Sequence, residues 1–184
     1  TGYGELFEVW FDGANGGDGY YGGARERREI DARSYYRFDE LWARCHELQP
    51  DAVIFSDAGP DVRWCGNESG YTGLTSWSKV RPEGFAPGQV DDHGRLVTGD
   101  ADGTLWRPAE VDVSTRPGWF WHPTERAKSG EELFAIWLAS VGRGASLNLN
   151  ITPDRRGLIP ERDILSLVDL NARREAFTAV DLAE

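Results

Sequence analysis

Short apolar segments typical of buried strands alternate along this chain with longer segments whose apolar residues recur every three or four positions. The strand-like segments are residues 5–11, 52–57, 110–114 and 146–151. The helix-like segments are residues 34–48, 131–141 and about 160–176. Strands separated by amphipathic helices favour a parallel sheet with helices packed on its outside, because parallel strands need long crossover connections.

The alternation predicts an α/β fold, namely a partial (β/α)8 TIM-like barrel. Four strand and helix units of about 40 residues are half of an eight-unit barrel, whose active site lies at the carboxyl ends of its strands. Residues 58–107 are rich in Gly, Pro, Asp and Trp without sustained periodicity, which predicts a long irregular loop. We therefore expect one domain over residues 1–184, with open edges on its sheet.

Composition excludes several partners and leaves the role of the Trp residues open. The net charge is −11 and the basic residues are scattered among carboxylates, so we expect no nucleic-acid partner. No run of eighteen apolar residues occurs and no basic, apolar segment precedes the first strand, so we expect neither a membrane span nor a signal peptide. Eight Trp residues could stack on sugar rings or pack in a core.

Two further features concern the covalent state of the chain. Cys45 and Cys65 are too few for a disulfide framework or a metal site, and we expect free thiols. The chain begins with Thr1 and contains no Met. We therefore expect it to be a processed product or one piece of a longer protein.

Carboxylates at the ends of the predicted strands are candidates for catalysis. Asp12 and Asp57 follow the first and second strands, although Asp-Gly is also a common turn dipeptide. Glu68 lies near Arg63 and Trp64 in the segment after the second strand. Retaining glycoside hydrolysis uses two carboxyl groups about 5–5.5 Å apart, and loops after adjacent barrel strands can meet at that distance.

Four motifs, in this order along the chain, carry a specific resemblance. They lie at residues 8–16, 62–70, 110–120 and 149–157, and include Trp-Phe-Asp-Gly, Gly-Asn-Glu and Arg-Pro-Gly-Trp-Phe. Together they resemble the α-L-fucosidases of glycoside hydrolase family 29, and most closely the branch that acts on α-1,3/1,4-linked fucose. The resemblance implies retaining hydrolysis of α-linked L-fucose from fucosylated glycans through a covalent fucosyl-enzyme, with no metal or organic cofactor.

The resemblance also implies roles for individual residues. Asp12, in Trp-Phe-Asp-Gly, would be the nucleophile, and Glu68, in Gly-Asn-Glu, the general acid/base. Trp119 would pack against the methyl group of the sugar. The complete set of expected substrate-binding residues is Trp10, Arg63, Trp64, Glu110, Trp119 and His122, the last because it could border the site.

The chain departs from the family pattern before the nucleophile strand. Family members carry there the first barrel strands and the His and Trp residues that hold the fucose hydroxyls, and nothing in this sequence matches them. We therefore expect residues 1–184 to be the C-terminal half of a catalytic barrel, inactive alone, with the N-terminal half missing or on another chain. Because fucosylated glycans usually occur outside the cytoplasm, we expect an extracellular or periplasmic location.

Several alternatives stay open at this point. The spacing Gly-x-Gly-x-x-Gly at residues 17–22 is that of a dinucleotide fingerprint, but no helix is predicted to open within it. Asp12, Asn15 and Asp18 lack the alternation of a calcium loop. A glycan on the sequon at residues 67–69 would obstruct Glu68. The alternative functions are a non-catalytic fucose-binding, carbohydrate-binding or assembly fragment, and a retaining glycosidase of another sugar specificity.

Overall fold

The computed structural model describes residues 2, 4–12, 18–20, 25–90 and 92–181. In chain order the elements are β1 (Glu8–Trp10), α1 (Ala32–Tyr35), α2 (Phe38–Leu48), β2 (Val53–Ser56), β3 (Val62–Trp64), β4 (Lys79–Val80), β5 (Phe85–Ala86), β6 (Gln89–Val90), α3 (Gly94–Thr98), β7 (Leu105–Trp106), β8 (Ala109–Ser114), α4 (Gly130–Ser140), a 3₁₀ turn (Val141–Arg143), β9 (Ser146–Asn150) and α5 (Glu161–Phe177).

The main sheet confirms the predicted fold class. Its strands are all parallel and run in the order β1-β2-β3-β8-β9, curling into half of a barrel with helices packed on it. Helices α4 and α5 begin and end within one residue of the predicted bounds. Ser129 and Glu132 form a capping box that fixes the start of α4.

Two predicted elements differ in detail from the structure. The sequence pattern predicts four strands, but β3 is a fifth, hydrogen-bonded between β2 and β8. Three residues are too few to show a period, so the sequence pattern predicts a loop at Val62–Trp64. The helix predicted over residues 34–48 is divided into α1 and α2, because Arg37 adopts a left-handed conformation with φ of 53°.

The segment from residue 58 to residue 107 has more order than the sequence pattern predicts. It contains two antiparallel strand pairs, β4 with β7 and β5 with β6, and the short helix α3. It also has a small core of its own, formed by Ala58, Val80, Phe85 and Leu96. Strands of two residues carry no periodicity, so the sequence pattern could not show these short elements within the long loop.

The two faces of the main sheet differ in polarity. Along β8, Val111 and Val113 alternate with Glu110, Asp112 and Ser114. Along β9, leucines alternate in the same way with Ser146, Asn148 and Asn150. Successive strand residues point to opposite faces, so one face is apolar and joins the core around Cys65, Val111 and Leu147. The other face is polar and is the one that faces the site.

Two smaller expectations concern the cysteines and the membrane. Cys45 and Cys65 are free thiols, as predicted. Among the described residues, no helix combines the length and the apolar character needed to cross a bilayer.

Candidate active site

A cleft of about 930 Å³ opens at the carboxyl ends of the strands, where barrel folds place their active sites. Its lining combines acidic, amide and aromatic side chains. The lining residues are Trp10, Phe11, Asp12, Phe55, Asp57, Trp64, Glu68, Asp112, Trp119, Phe120, Asn148, Leu149, Asn150 and Ile151. This composition suits a neutral polar ligand with one apolar face, since amides and carboxylates bind hydroxyl groups and indole faces cover apolar surface.

Both predicted catalytic carboxylates, Asp12 and Glu68, line this cleft. Asp12 follows β1 and Glu68 follows β3, and both side chains are exposed. The sequence pattern placed them after adjacent strands, but β2 lies between β1 and β3. One carboxylate oxygen of Glu68 accepts a hydrogen bond from the indole nitrogen of Trp119 over 3.2 Å. The roles of the two carboxylates stay predictions.

Three of the predicted substrate-binding residues, Trp10, Trp64 and Trp119, share the cleft wall. Trp10 stacks on Phe55 with ring centroids 4.2 Å apart and planes 5° apart. Its indole nitrogen donates to Glu110 Oε1 over 3.1 Å. Glu110 is itself buried and is not among the residues that line the cleft, so in this structure it supports the wall.

Two further predicted substrate-binding residues, Arg63 and His122, do not line the cleft. Arg63 is 0% exposed, and its guanidinium donates to the backbone carbonyls of Leu96, Trp77 and Arg107. Because Arg63 alternates with Val62 and Trp64 along β3, it points to the opposite face of the sheet. The prediction for Arg63 is therefore corrected, since this side chain anchors the 58–107 segment.

His122 is the second of these residues, and its expected place at the border of the site stays a prediction. Its ring is exposed, and Nδ1 lies 2.9 Å from the hydroxyl oxygen of Thr124. It is not among the residues that line the cleft. The same segment after β8 places Trp119 and Phe120 in the wall.

Sequence reasoning missed one acidic residue of the cleft, Asp112. It is 6% exposed, and within the described part of the chain its Oδ1 has no hydrogen-bond partner. The pKa of Asp112 is raised to about 6, chiefly by burial and to a smaller extent by the nearby Glu68 and Glu110, although hydrogen bonds from its own backbone and from Trp64 act to lower it. The alternation of polar and apolar residues in β8 was the signal that could have found it.

Asp57, the alternative nucleophile, also lines the cleft. Burial raises the pKa of its carboxyl group. One carboxylate oxygen accepts a hydrogen bond from the backbone nitrogen of Gly88 over 2.8 Å. The structure therefore offers both Asp12 and Asp57 to a bound ligand.

The structure describes only part of the two segments that resemble a dinucleotide fingerprint and a calcium loop. Most of the Gly-rich segment, including residues 17, 21 and 22 of the candidate fingerprint and Asn15 of the calcium-loop pattern, lies outside the described residues. Across the ranges that are described, no group of three His, Cys, Asp or Glu side chains is placed to hold a metal ion.

Comparison with known proteins finds relatives named as α-L-fucosidases. No family model matches the chain. It is 44% identical to α-L-fucosidase 1 of Arabidopsis thaliana over 183 residues, and 41% identical to a putative α-L-fucosidase 1 of Oryza sativa subsp. japonica over 184 residues. These matches cover 100% of this chain but only 34% and 33% of the two relatives.

A solved structure shows the same similarity in three dimensions. It is a glycoside hydrolase 29 family member from an unknown rumen bacterium, superposed with a TM-score of 0.80 at 41% identity. The match covers 96% of this chain and 31% of that one. The chain thus spans about a third of the length of the proteins it matches.

Proposed function

Because this chain belongs to the α-L-fucosidases of glycoside hydrolase family 29, spanning about a third of their length, we propose that the protein hydrolyses α-linked L-fucose from oligosaccharides or glycoconjugates. The observation that carries the proposal is one cleft that contains both Asp12 and Glu68 beside three indole rings. A pair of carboxyl groups is what retaining hydrolysis needs, and indole faces suit the apolar side of a sugar.

The proposed mechanism has two steps and uses only these carboxyl groups. In the first, the Asp12 carboxylate attacks the anomeric carbon while the protonated Glu68 gives its proton to the departing oxygen. In the second, the Glu68 carboxylate takes a proton from water, which displaces Asp12 and releases fucose with retained configuration. The hydrogen bond from Trp119 holds the Glu68 carboxyl group toward the cleft.

The proposal includes a partner, namely the N-terminal half of the barrel, on the same polypeptide or on a second one. Its support is that the main sheet has two open edges. Among the described residues, β1 and β9 each pair with a single strand. Apolar side chains are also exposed, with Phe7 next to β1 86% exposed and Leu165 on α5 61% exposed. Completing the barrel would cover sheet edges that are otherwise prone to unwanted pairing.

Variants of three carboxylates test the proposal in protein that contains the complete barrel, with an aryl α-L-fucoside as substrate. We expect Asp12→Ala to lower kcat by about 10³-fold or more, because no covalent intermediate can form. Glu68→Ala is expected to slow hydrolysis of substrates with poor leaving groups by about 10²–10⁴-fold and to be rescued by azide.

Asp57→Ala is the matched control, since it removes another carboxylate of the same cleft. It should retain the covalent step. A fully active Asp12→Ala protein, or loss of the covalent step in Asp57→Ala instead, would contradict the assignment of the nucleophile.

The same samples separate the alternatives. Calorimetric binding of fucose by the complete protein without hydrolysis would favour a carbohydrate-binding fragment. Turnover of a different aryl glycoside would favour another sugar specificity. Oligosaccharides with α-1,3- and α-1,4-linked fucose test the proposed branch, since rates higher on these than on other linkages are expected.

A further inference from the structure

An amide side chain at the end of β9, that of Asn150, connects the main sheet to the segment that carries Trp119. Its Nδ2 donates to Ser114 Oγ over 3.0 Å and to the backbone carbonyl of Trp119 over 2.9 Å. Asn150 and Ser114 are register partners and are the last residues of β9 and β8. The amide therefore joins two paired strands to a residue in the segment after β8.

The chemistry of its partners determines the orientation of this amide. A backbone carbonyl can only accept, so the Trp119 carbonyl requires the nitrogen of the amide rather than its oxygen. The Ser114 hydroxyl donates its proton to the carbonyl of Gly118 over 2.8 Å, and its oxygen therefore accepts from Asn150. Both N–H groups of one amide nitrogen are used, which a carboxylate or a hydroxyl at this position could not supply.

Other groups hold the part of this segment that precedes Trp119. The backbone nitrogen and the hydroxyl of Thr115 donate to the carbonyl of Asn150 over 3.0 and 3.1 Å. Arg116 is paired with Asp163 on α5. Within the described ranges, neither contact includes Trp119, whose backbone is joined to the sheet by the amide of Asn150.

Trp119 connects this amide to the proposed general acid/base. Its indole nitrogen donates to Glu68 Oε2 over 3.2 Å. The Trp119 side chain is 39% exposed and Glu68 is also exposed, so burial alone does not fix either of them. Asn150, Trp119 and Glu68 all line the cleft. Two hydrogen bonds through one tryptophan therefore lead from β9 to Glu68.

We propose that Asn150 is a positioning residue, whose amide fixes the backbone of Trp119 so that the indole N–H holds the Glu68 carboxyl group in the cleft. The two hydrogen bonds depend only on the geometry of this chain, whereas their effect on turnover rests on the proposed function.

The first test follows the indole N–H of Trp119 by nitrogen-15 NMR in protein that contains the complete barrel, with Trp119→Phe identifying the resonance. In the wild-type background, Glu68→Gln should shift this resonance, because it replaces a charged acceptor with a neutral one. In the Asn150→Ala background most of that shift should be lost, because the indole no longer stays against residue 68. Asn150→Asp keeps the size of the side chain but cannot donate when ionised, so it tests the same point if Asn150→Ala does not fold.

Thr115→Val is the matched control. It removes a hydroxyl that donates to the carbonyl of the same Asn150, at nearly constant volume, and leaves the amide of Asn150 in place. The shift caused by Glu68→Gln should therefore be as large in the Thr115→Val background as in wild type. A shift of wild-type size in the Asn150→Ala or Asn150→Asp background, or the absence of a shift in wild type or in Thr115→Val, would overturn the proposal.

Kinetics separate this inference from the proposed function. A general acid contributes most when the leaving group is poor, so we expect Asn150→Ala to lower kcat/KM about 10-fold for an aryl fucoside with a poor leaving group and about 2-fold for one with a good leaving group. Equal losses on the two substrates would contradict a positioning role. Absence of any wild-type turnover would remove the proposed hydrolysis, whereas the indole resonance would still decide whether Asn150 holds Trp119 against Glu68.

Discussion

At the scale of one residue, Asp112 places a carboxyl group in the cleft wall, where it is largely buried. Its pKa is raised to about 6 because burial disfavours the charged form. A raised pKa in the folded state means that the associated stability is present below pH 4 and is lost as the pH rises through about 6. The folded protein therefore carries an electrostatic cost at neutral pH.

Asp112→Asn should remove this cost, because Asn cannot ionise and can still accept the hydrogen bond from Trp64. We expect the free energy of unfolding at pH 8 to rise by about 1–3 kcal/mol over wild type, and the difference to shrink toward pH 4. Urea unfolding at both values measures it. The exposed Asp51→Asn serves as the control and should change little. An Asp112→Asn protein less stable than wild type at pH 8 would refute the expectation.

At the scale of elements, a buried ion pair joins the segment after β8 to the first turn of α5. The guanidinium of Arg116 donates to both carboxylate oxygens of Asp163 over 2.8 and 2.7 Å, and both side chains are buried. A third hydrogen bond, 2.9 Å long, runs from Arg116 to the carbonyl of Glu125. The segment that carries Trp119 is thereby tied to a helix on the outside of the sheet.

Asp163→Ala should lower the free energy of unfolding by about 3–5 kcal/mol, because it leaves a buried guanidinium without its partner. The matched control on the same helix is Arg173→Ala. Its pair with Asp169 is 3.1 Å long, but the two side chains are 40% and 46% exposed, so the loss should be about 0.5 kcal/mol or less. Equal losses in the two variants, measured by urea unfolding, would contradict the structural role of the buried pair.

At the scale of the whole molecule, the half-barrel combines open sheet edges with exposed apolar side chains. Among the described residues, β1 and β9 have one strand neighbour each. Ile164, Leu165 and Val168 on α5 are 46%, 61% and 60% exposed. The net charge of −11 opposes association of identical chains.

We therefore expect the 184-residue chain studied alone to self-associate, and to do so more strongly as salt screens its charge. Sedimentation velocity over a concentration series measures the monomer fraction. Leu165→Glu should raise that fraction, and Glu175→Gln, an exposed change on the same helix, serves as the control. A chain that is monomeric at every concentration and salt level would refute the prediction.

Prediction from the sequence succeeded where the signal is local and long enough. The strands around Val53–Ser56 and Ala109–Ser114, and the helices α4 and α5, each extend over at least one period of their pattern. It failed for β3 and for the two-residue strands, which are shorter than any recognisable period. The error for Arg63 follows directly, since its direction depends on knowing that β3 is a strand.

The sequence by itself determined the alternation of the longer strands and helices, the motifs that carry the family resemblance, and the placement of Asp12 after a strand. Tertiary structure decided which face each side chain takes and which distant groups meet. Trp10 and Glu110 are 100 positions apart on strands that β2 and β3 separate, and only the curled parallel sheet brings their side chains within 3.1 Å. Burial and proximity arise from such non-local pairing, and for that reason the surroundings of Glu110, Arg63 and Asp112 could not be derived from local pattern.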